Sequence, residues 1–183
     1  MLGLFPFSKL AKRGPVLRVY ALERIEPPVF EAEFPVDLGD DLGTGAPDAN
    51  TMLTAAAEFL QPDCAAEIDT YWDLWQYQRA ADSSEPGEWK LLPSPVTLAC
   101  FGPDFSQDRA DHLRIEFGPD ARFLPVPGVE GSLRMGQSNL KSLLRLVSDL
   151  EKKLNLESRQ VWSESGANFA EVLKHAVGGY HVN

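Results

Sequence analysis

The sequence predicts an α+β fold, a largely antiparallel, twisted sheet of about five to seven strands with helices packed mostly on one face. Two observations carry this. Through roughly the first two thirds of the chain the apolar residues come in short runs of period two, punctuated by Gly and Pro, whereas the last third turns to the 3.6-residue period of amphipathic helix. The 183 residues suit one domain, read as an N-terminal arm over 1–15 followed by a single α+β domain over 16–183.

Val16 to Leu22 alternates Leu17, Val19 and Ala21 against Val16, Arg18 and Tyr20 and is rich in strand-forming residues. Val29 to Val36 places Phe30, Ala32, Phe34 and Val36 on one face and Glu31 and Glu33 on the other. Pro35 cannot donate to a ladder, so this strand is expected at a sheet edge. Asp37 to Asp48 reads as a loop on composition. A helix follows near 51–60, with Asp48, Asn50 or Thr51 as caps and Met52, Ala55, Ala56, Phe59 and Leu60 at helical spacing.

Ile68 to Tyr77 fits both periods, and its aromatic content tips it to strand. A polar turn leads to a strand at Trp89–Leu92, and Pro95 to Phe101 reads as a separate buried strand. His112–Phe117 and Ala121–Val126 flank Gly118-Pro119-Asp120 and predict a hairpin. Two helices close the chain. The longer, at about 139–155, carries Leu140, Leu143, Leu144, Val147, Leu150 and Leu154, with Ser138 or Asn139 as cap; the shorter, at about 167–177, carries Phe169, Val172, Leu173, Ala176 and Val177, with Asn168 and Glu171 spaced as a capping box.

Charge is the most distinctive feature. Sixteen acidic residues and two basic ones, Arg24 and Arg79, lie between Glu23 and Glu88, while the whole chain carries a formal charge of −10. Such a balance repels phosphates and excludes a nucleic-acid footprint. No run approaches the about 18 apolar residues of a membrane span, so integral membrane association is not expected. Leu2, Leu4, Phe5, Phe7 and Leu10 beside Lys9, Lys12 and Arg13 form either a weak amphipathic anchor or, preferred because Pro6 breaks an early helix, an arm packed on its own domain or a neighbouring subunit. Cys64 and Cys100 sit in apolar runs without CxxC spacing and read as buried thiols in a reducing compartment, the cytoplasm by default.

Candidate chemistry is sparse. Cys100 with His112 or His175 is the one combination that begins a thiol–imidazole pair, but a strand thiol among aliphatics reads as core. Ser163 and Ser165 in WSESG lack the first glycine of a serine elbow and read as helix caps. His112, His175 and His181 have no metal-ligand spacing, and the Asp37, Asp40, Asp41, Asp48 loop lacks EF-hand spacing. Gly43-Thr44-Gly45 is no nucleotide cradle. No catalytic residue, metal ligand or cofactor is assigned.

What remains is recognition: a non-enzymatic binding or regulatory protein whose acidic surface meets a basic protein partner. Glu31, Glu33, Asp40 and Asp41 are the candidate carboxylates, with Trp72 and Trp75 as candidate aromatic anchors against the alternative that these rings fill the core. The competing expectation is an enzyme or small-ligand binder with a mainly apolar pocket beside the sheet.

Overall fold

A computed structural model of the chain describes residues 1–21, 27–35, 48–79, 87–105, 111–126 and 128–178. Among these, five strands form one open antiparallel sheet, accompanied by three α-helices. The strands are β1 (Val16–Ala21), β2 (Phe30–Glu33), β3 (Cys64–Gln78), β4 (Glu88–Phe101) and β5 (Leu113–Glu116), in the order β2-β1-β3-β4-β5. The helices are α1 (Ala49–Ala56), α2 (Ser132–Lys153) and α3 (Phe169–Gly178). The predicted α+β class is therefore observed. The chain divides into two compact units, one of residues 6–73 and 93–117, the other of residues 1–5, 74–92 and 118–183.

In the first unit, register fixes which side chains share a face. Leu17 pairs with Ile68 and Ala32, and Arg18 pairs with Glu67 and Glu31, so the pleat turns Leu17 and Val19 to one side and Val16 and Arg18 to the other. Leu17, Val19, Ile68 and Trp72 are buried. Phe59, just past α1, stacks on Phe30 at 5.0 Å, and Phe30 stands opposite Val19; the α1 side thus covers the Leu17 face. Asp48 caps α1 by accepting from the Asn50 amide and the Thr51 hydroxyl, as one of the three anticipated caps. On the opposite face Ala65, Ala99, Phe101 and Phe105 make a small buried cluster.

The edge-strand reading of β2 holds: Glu31 and Glu33 are exposed, Phe30 and Ala32 half-buried. Ile68 to Tyr77 lies inside β3, as its aromatic content suggested. Two expectations are corrected. The runs 89–92 and 95–101 are one strand, β4, that passes through Pro93 and Pro95; β5 pairs only with Thr97–Cys100, so both prolines precede the stretch that β5 engages. No hairpin follows β5. Asp120–Arg122 instead form a short 3-10 turn after Pro119, and Phe123 is buried. Pro125 and Pro127 remove two of the amide donors that a second strand over this segment would need.

Residues 7–15 are laid against β3. The Ser8 amide donates to the Tyr71 carbonyl at 2.8 Å, the Ser8 hydroxyl to the Asp73 carboxylate, and the Lys9 amide to Asp73 Oδ2 at 2.8 Å. Phe7 and Ala11 are buried, so this part of the arm packs on its own unit.

The second unit is organised by α2. Its buried positions are Ser132, Gly136, Asn139, Leu143, Leu146 and Leu150, a strict alternation of four- and three-residue steps. The helix begins seven residues before the expected cap at Asn139, because Gly136 does not break it: a Cβ there would sit 3.3 Å from the Phe123 carbonyl oxygen, and the small residue permits that approach. The expected stripe was also rotated. Leu144 is 59% exposed and Leu146 takes its place inside. Phe123 meets Phe169 of α3 edge-to-face, with centroids 6.3 Å apart. Asn168 caps α3 by accepting from the Ala170 amide.

Candidate functional site

The most chemically loaded place among the described residues is the charged face of the first unit. A cleft of about 320 Å³ opens there, its walls contributed by the arm (Arg13), β1 (Val16, Arg18), β2 (Glu33), β3 (Asp69, Tyr71) and β4 (Thr97). Register brings these residues together: Arg18 stands opposite Glu31, Val16 opposite both Glu33 and Asp69, so alternate residues of three adjacent strands share one face.

Arg18 is the hub. Its Nε donates to Glu31 Oε2 at 2.6 Å and its Nη1 to Asp69 Oδ2, while Asp69 Oδ1 accepts from the Thr97 hydroxyl at 2.7 Å. The Glu31 hydrogen bond, opposed by partial burial and joined by Asp69, pushes the guanidinium pKa up, so Arg18 stays charged throughout. Its side chain is 27% exposed against 54% for Glu31 and 47% for Asp69. Arg18 is therefore more buried than the two carboxylates it joins, while Arg13, also on the cleft wall, is exposed. Glu33 is likewise exposed on the cleft wall.

The arrangement gathers charged groups of both signs on one sheet face. Glu33, Asp69, Arg13 and Arg18 line the cleft and Glu31 stands beside it on Arg18, an open charged site unlike the mainly apolar pocket of a small-ligand binder. Among the described residues no group of three or more His, Cys, Asp or Glu could hold a metal ion, and no helix is long and apolar enough to cross a membrane.

The sequence-predicted residues separate. Glu31 and Glu33 are exposed and adjacent to the cleft. Asp40 and Asp41 lie outside the described residues. Trp72 is only 5% exposed, on the Leu17 face, and packs against Phe117 at 5.5 Å between centroids; it is a core residue and offers no surface anchor. Trp75, in the other unit, is half-buried. Nearby in that unit Tyr77 packs on Trp89, whose indole N–H donates to the Glu130 carbonyl at 2.8 Å. Those rings serve packing.

The thiol readings also change. Cys100 is exposed, not core, whereas Cys64 is buried, and the two are free. Cys100 stands opposite Leu113 while the next residue, Phe101, bonds to the His112 carbonyl, so the pleat sends the Cys100 thiol and the His112 ring to opposite faces. Crowding by neighbouring atoms nonetheless pushes the Cys100 thiol up. Ser163 and Ser165 are not helix caps. Their hydroxyls lie 2.5 Å apart within a tight turn closed by Ser163 and Ala167 and completed by Gly166 at φ +77°.

Sequence reasoning missed Arg18, Asp69 and Thr97. The signal available was that Arg18 is the one charged residue within an otherwise apolar strand, which calls for a partner across the sheet. No protein-family profile, curated protein or solved structure matches this chain.

Proposed function

We propose that the protein is a non-enzymatic binding module whose charged sheet face receives a cationic segment of a partner protein, in a reducing compartment such as the cytoplasm. The observation that carries this reading is the layered charge around Arg18: its side chain is more buried than Glu31 and Asp69, and Glu33 is exposed on the cleft wall. On these strands a lysine or arginine side chain meets Glu31, Glu33 and Asp69 before Arg18, while exposed Arg13 on the cleft wall limits which approach is favourable. Arg18 holds Glu31 and Asp69 in place, which lowers the ordering cost of the encounter. Arg18 also neutralises part of the acidic stretch, so selectivity here rests on local arrangement more than on a long-range field.

The test is a fluorescence titration of the full chain with a lysine-rich peptide and an acidic peptide of equal length, at low and moderate salt. The expected result is preference for the basic peptide, about tenfold weaker binding in Glu31→Lys/Glu33→Lys, and little change in Glu157→Lys/Glu164→Lys, which alters net charge equally from exposed sites elsewhere. Equal loss in the two double variants would reduce the interaction to net charge and overturn the assignment of this face.

A further inference from the structure

The same chain carries a surface of opposite character on α2. Beside the buried seam, Leu140 and Val147 are half-buried and Leu144 stands 59% exposed, all within one 60-degree sector of the helix at 100 degrees per residue. On the solvent side of that strip Lys141, Arg145 and Lys152 fall in a second line, separated by four and seven residues.

Among the described residues these cations are little used. Lys141 is exposed and has no carboxylate partner among the described residues, and Arg145, with its side chain 86% exposed, reaches Asp149 only at 4.0 Å. Lys152 shares that same Asp149 at 3.8 Å. Glu151, which prolongs the line of Leu144 by two turns, is neutralised by Arg159 at 2.7 Å. A large aliphatic side chain held in water beside unspent positive charge is the pairing of anchor and steering group found at recognition surfaces.

We propose that this face of α2 docks an acidic amphipathic helix of a partner protein, its apolar side on Leu144 and its carboxylates along Lys141, Arg145 and Lys152. Charge complementarity selects this occupant. The strip is narrow, with Leu144 its one exposed leucine between half-buried Leu140 and Val147, which matches the narrow i, i+3, i+4, i+7 ridge of a docked helix. Three cations lie within a helical turn or two of that leucine and fix the sign of the partner. The surface is independent of the acidic cleft: the proposal stands whether or not that face binds cations.

The experiment uses the full chain and three probes: an acidic amphipathic helical peptide of about 20 residues, a scrambled peptide of the same composition, and vesicles of anionic phospholipid. Binding is read by fluorescence anisotropy for the peptides and by sedimentation for the vesicles. The expected outcome is binding of the amphipathic peptide alone, weakened about tenfold by Leu144→Asp and by Lys141→Glu/Arg145→Glu, but unchanged by Leu53→Asp, a similarly exposed leucine on α1. Because Leu144 is exposed, Leu144→Asp should keep the wild-type unfolding midpoint; if it does not, Leu144→Ser replaces it as the probe. Equal binding of the scrambled peptide overturns the proposal, as does vesicle binding that depends on Leu144, insensitivity to all α2 variants, or a wild-type dimer that Leu144→Asp dissociates.

Discussion

Asn139 of α2 grips the main chain of Trp75 in both directions, its Oδ1 accepting from the Trp75 amide and its Nδ2 donating to the Trp75 carbonyl, each at 2.9 Å. The same Nδ2 donates to the Arg122 carbonyl at 2.6 Å, so one buried amide ties three segments of its unit together. A side chain with both donor and acceptor is required, because each lost partner leaves a buried polar group at about 1–3 kcal/mol. Asn139→Leu should therefore cost roughly 3 kcal/mol or more in urea unfolding. Asn139→Asp is the sharper probe: an ionised carboxylate faces two carbonyl oxygens, its folded pKa is raised above the unfolded one, and the deficit should shrink as pH falls toward about 5. Equal deficits at pH 7 and pH 5 would contradict the donor role.

Along α2 the buried leucines separate cleanly from their exposed neighbour. Leu143→Ala, Leu146→Ala and Leu150→Ala should each destabilise by about 2–5 kcal/mol, the range for emptying a packed site. Leu144→Ala should cost under about 0.5 kcal/mol. A Leu144→Ala loss comparable to that at Leu146 would show that the seam runs elsewhere.

Gly14 is sterically committed. A Cβ built on it would lie 1.6 Å from the Phe34 carbonyl oxygen, in a segment where the Phe34 amide also donates to the Pro15 carbonyl at 2.9 Å. Neither backbone can yield cheaply. Gly14→Ala should cost about 3 kcal/mol or more, whereas Gly3→Ala, with nothing within 4 Å of the added carbon, should stay within about 0.5 kcal/mol.

Most of the architecture was legible in the sequence wherever one physical signal dominated. The alternation of Phe30 and Ala32 against Glu31 and Glu33 named an edge strand, and Asp48 ahead of Met52 named a helix start. Legibility failed where tertiary contacts decide between local options. Leu144 and Leu146 point to nearly opposite sides of α2, and the choice between them is fixed by the seam that Gly136 and Asn139 begin, where Phe123 approaches Gly136. The candidate site failed for the same reason: the acids were visible as a run of charge, but the residue that joins two of them, Arg18, lies outside that run and meets Asp69 only through strand register. Trp72 and Cys100 show the converse. Residue type suggested an exposed anchor and a buried thiol; Trp72 instead falls on the buried Leu17 face, and Cys100 is exposed although it shares a side of β4 with buried Leu98.

Asp48 gives α1 a definite pH response. Hydrogen bonds from the Thr51 hydroxyl and then the Asn50 amide hold its carboxyl below the usual carboxylate range. A depressed folded pKa contributes stability that is present above the unfolded value of about 3.9 and lost as pH falls through the folded one. The unfolding midpoint of the wild type should accordingly drop more steeply below about pH 4 than that of Asp48→Asn, which keeps a capping oxygen without the titration. Parallel curves for the two proteins would remove Asp48 from the acid response.

The two thiols should differ in access and in pH profile. Cys64 is buried and should react with a bulky thiol reagent only after denaturation, while exposed Cys100 should label in the native protein. Desolvation raises the Cys100 pKa, so at neutral pH its thiolate fraction lies below that of an ordinary thiol. Native labelling of Cys100 should thus be slow near pH 7 and climb steeply, with a midpoint above the about 8.5 of a free cysteine. In Cys100→Ser no native labelling should remain. A midpoint below 8.5 would mean that a cation or a helix terminus, not crowding, governs this thiol. That result would reopen the nucleophilic chemistry which the opposed orientation of Cys100 and His112 otherwise argues against.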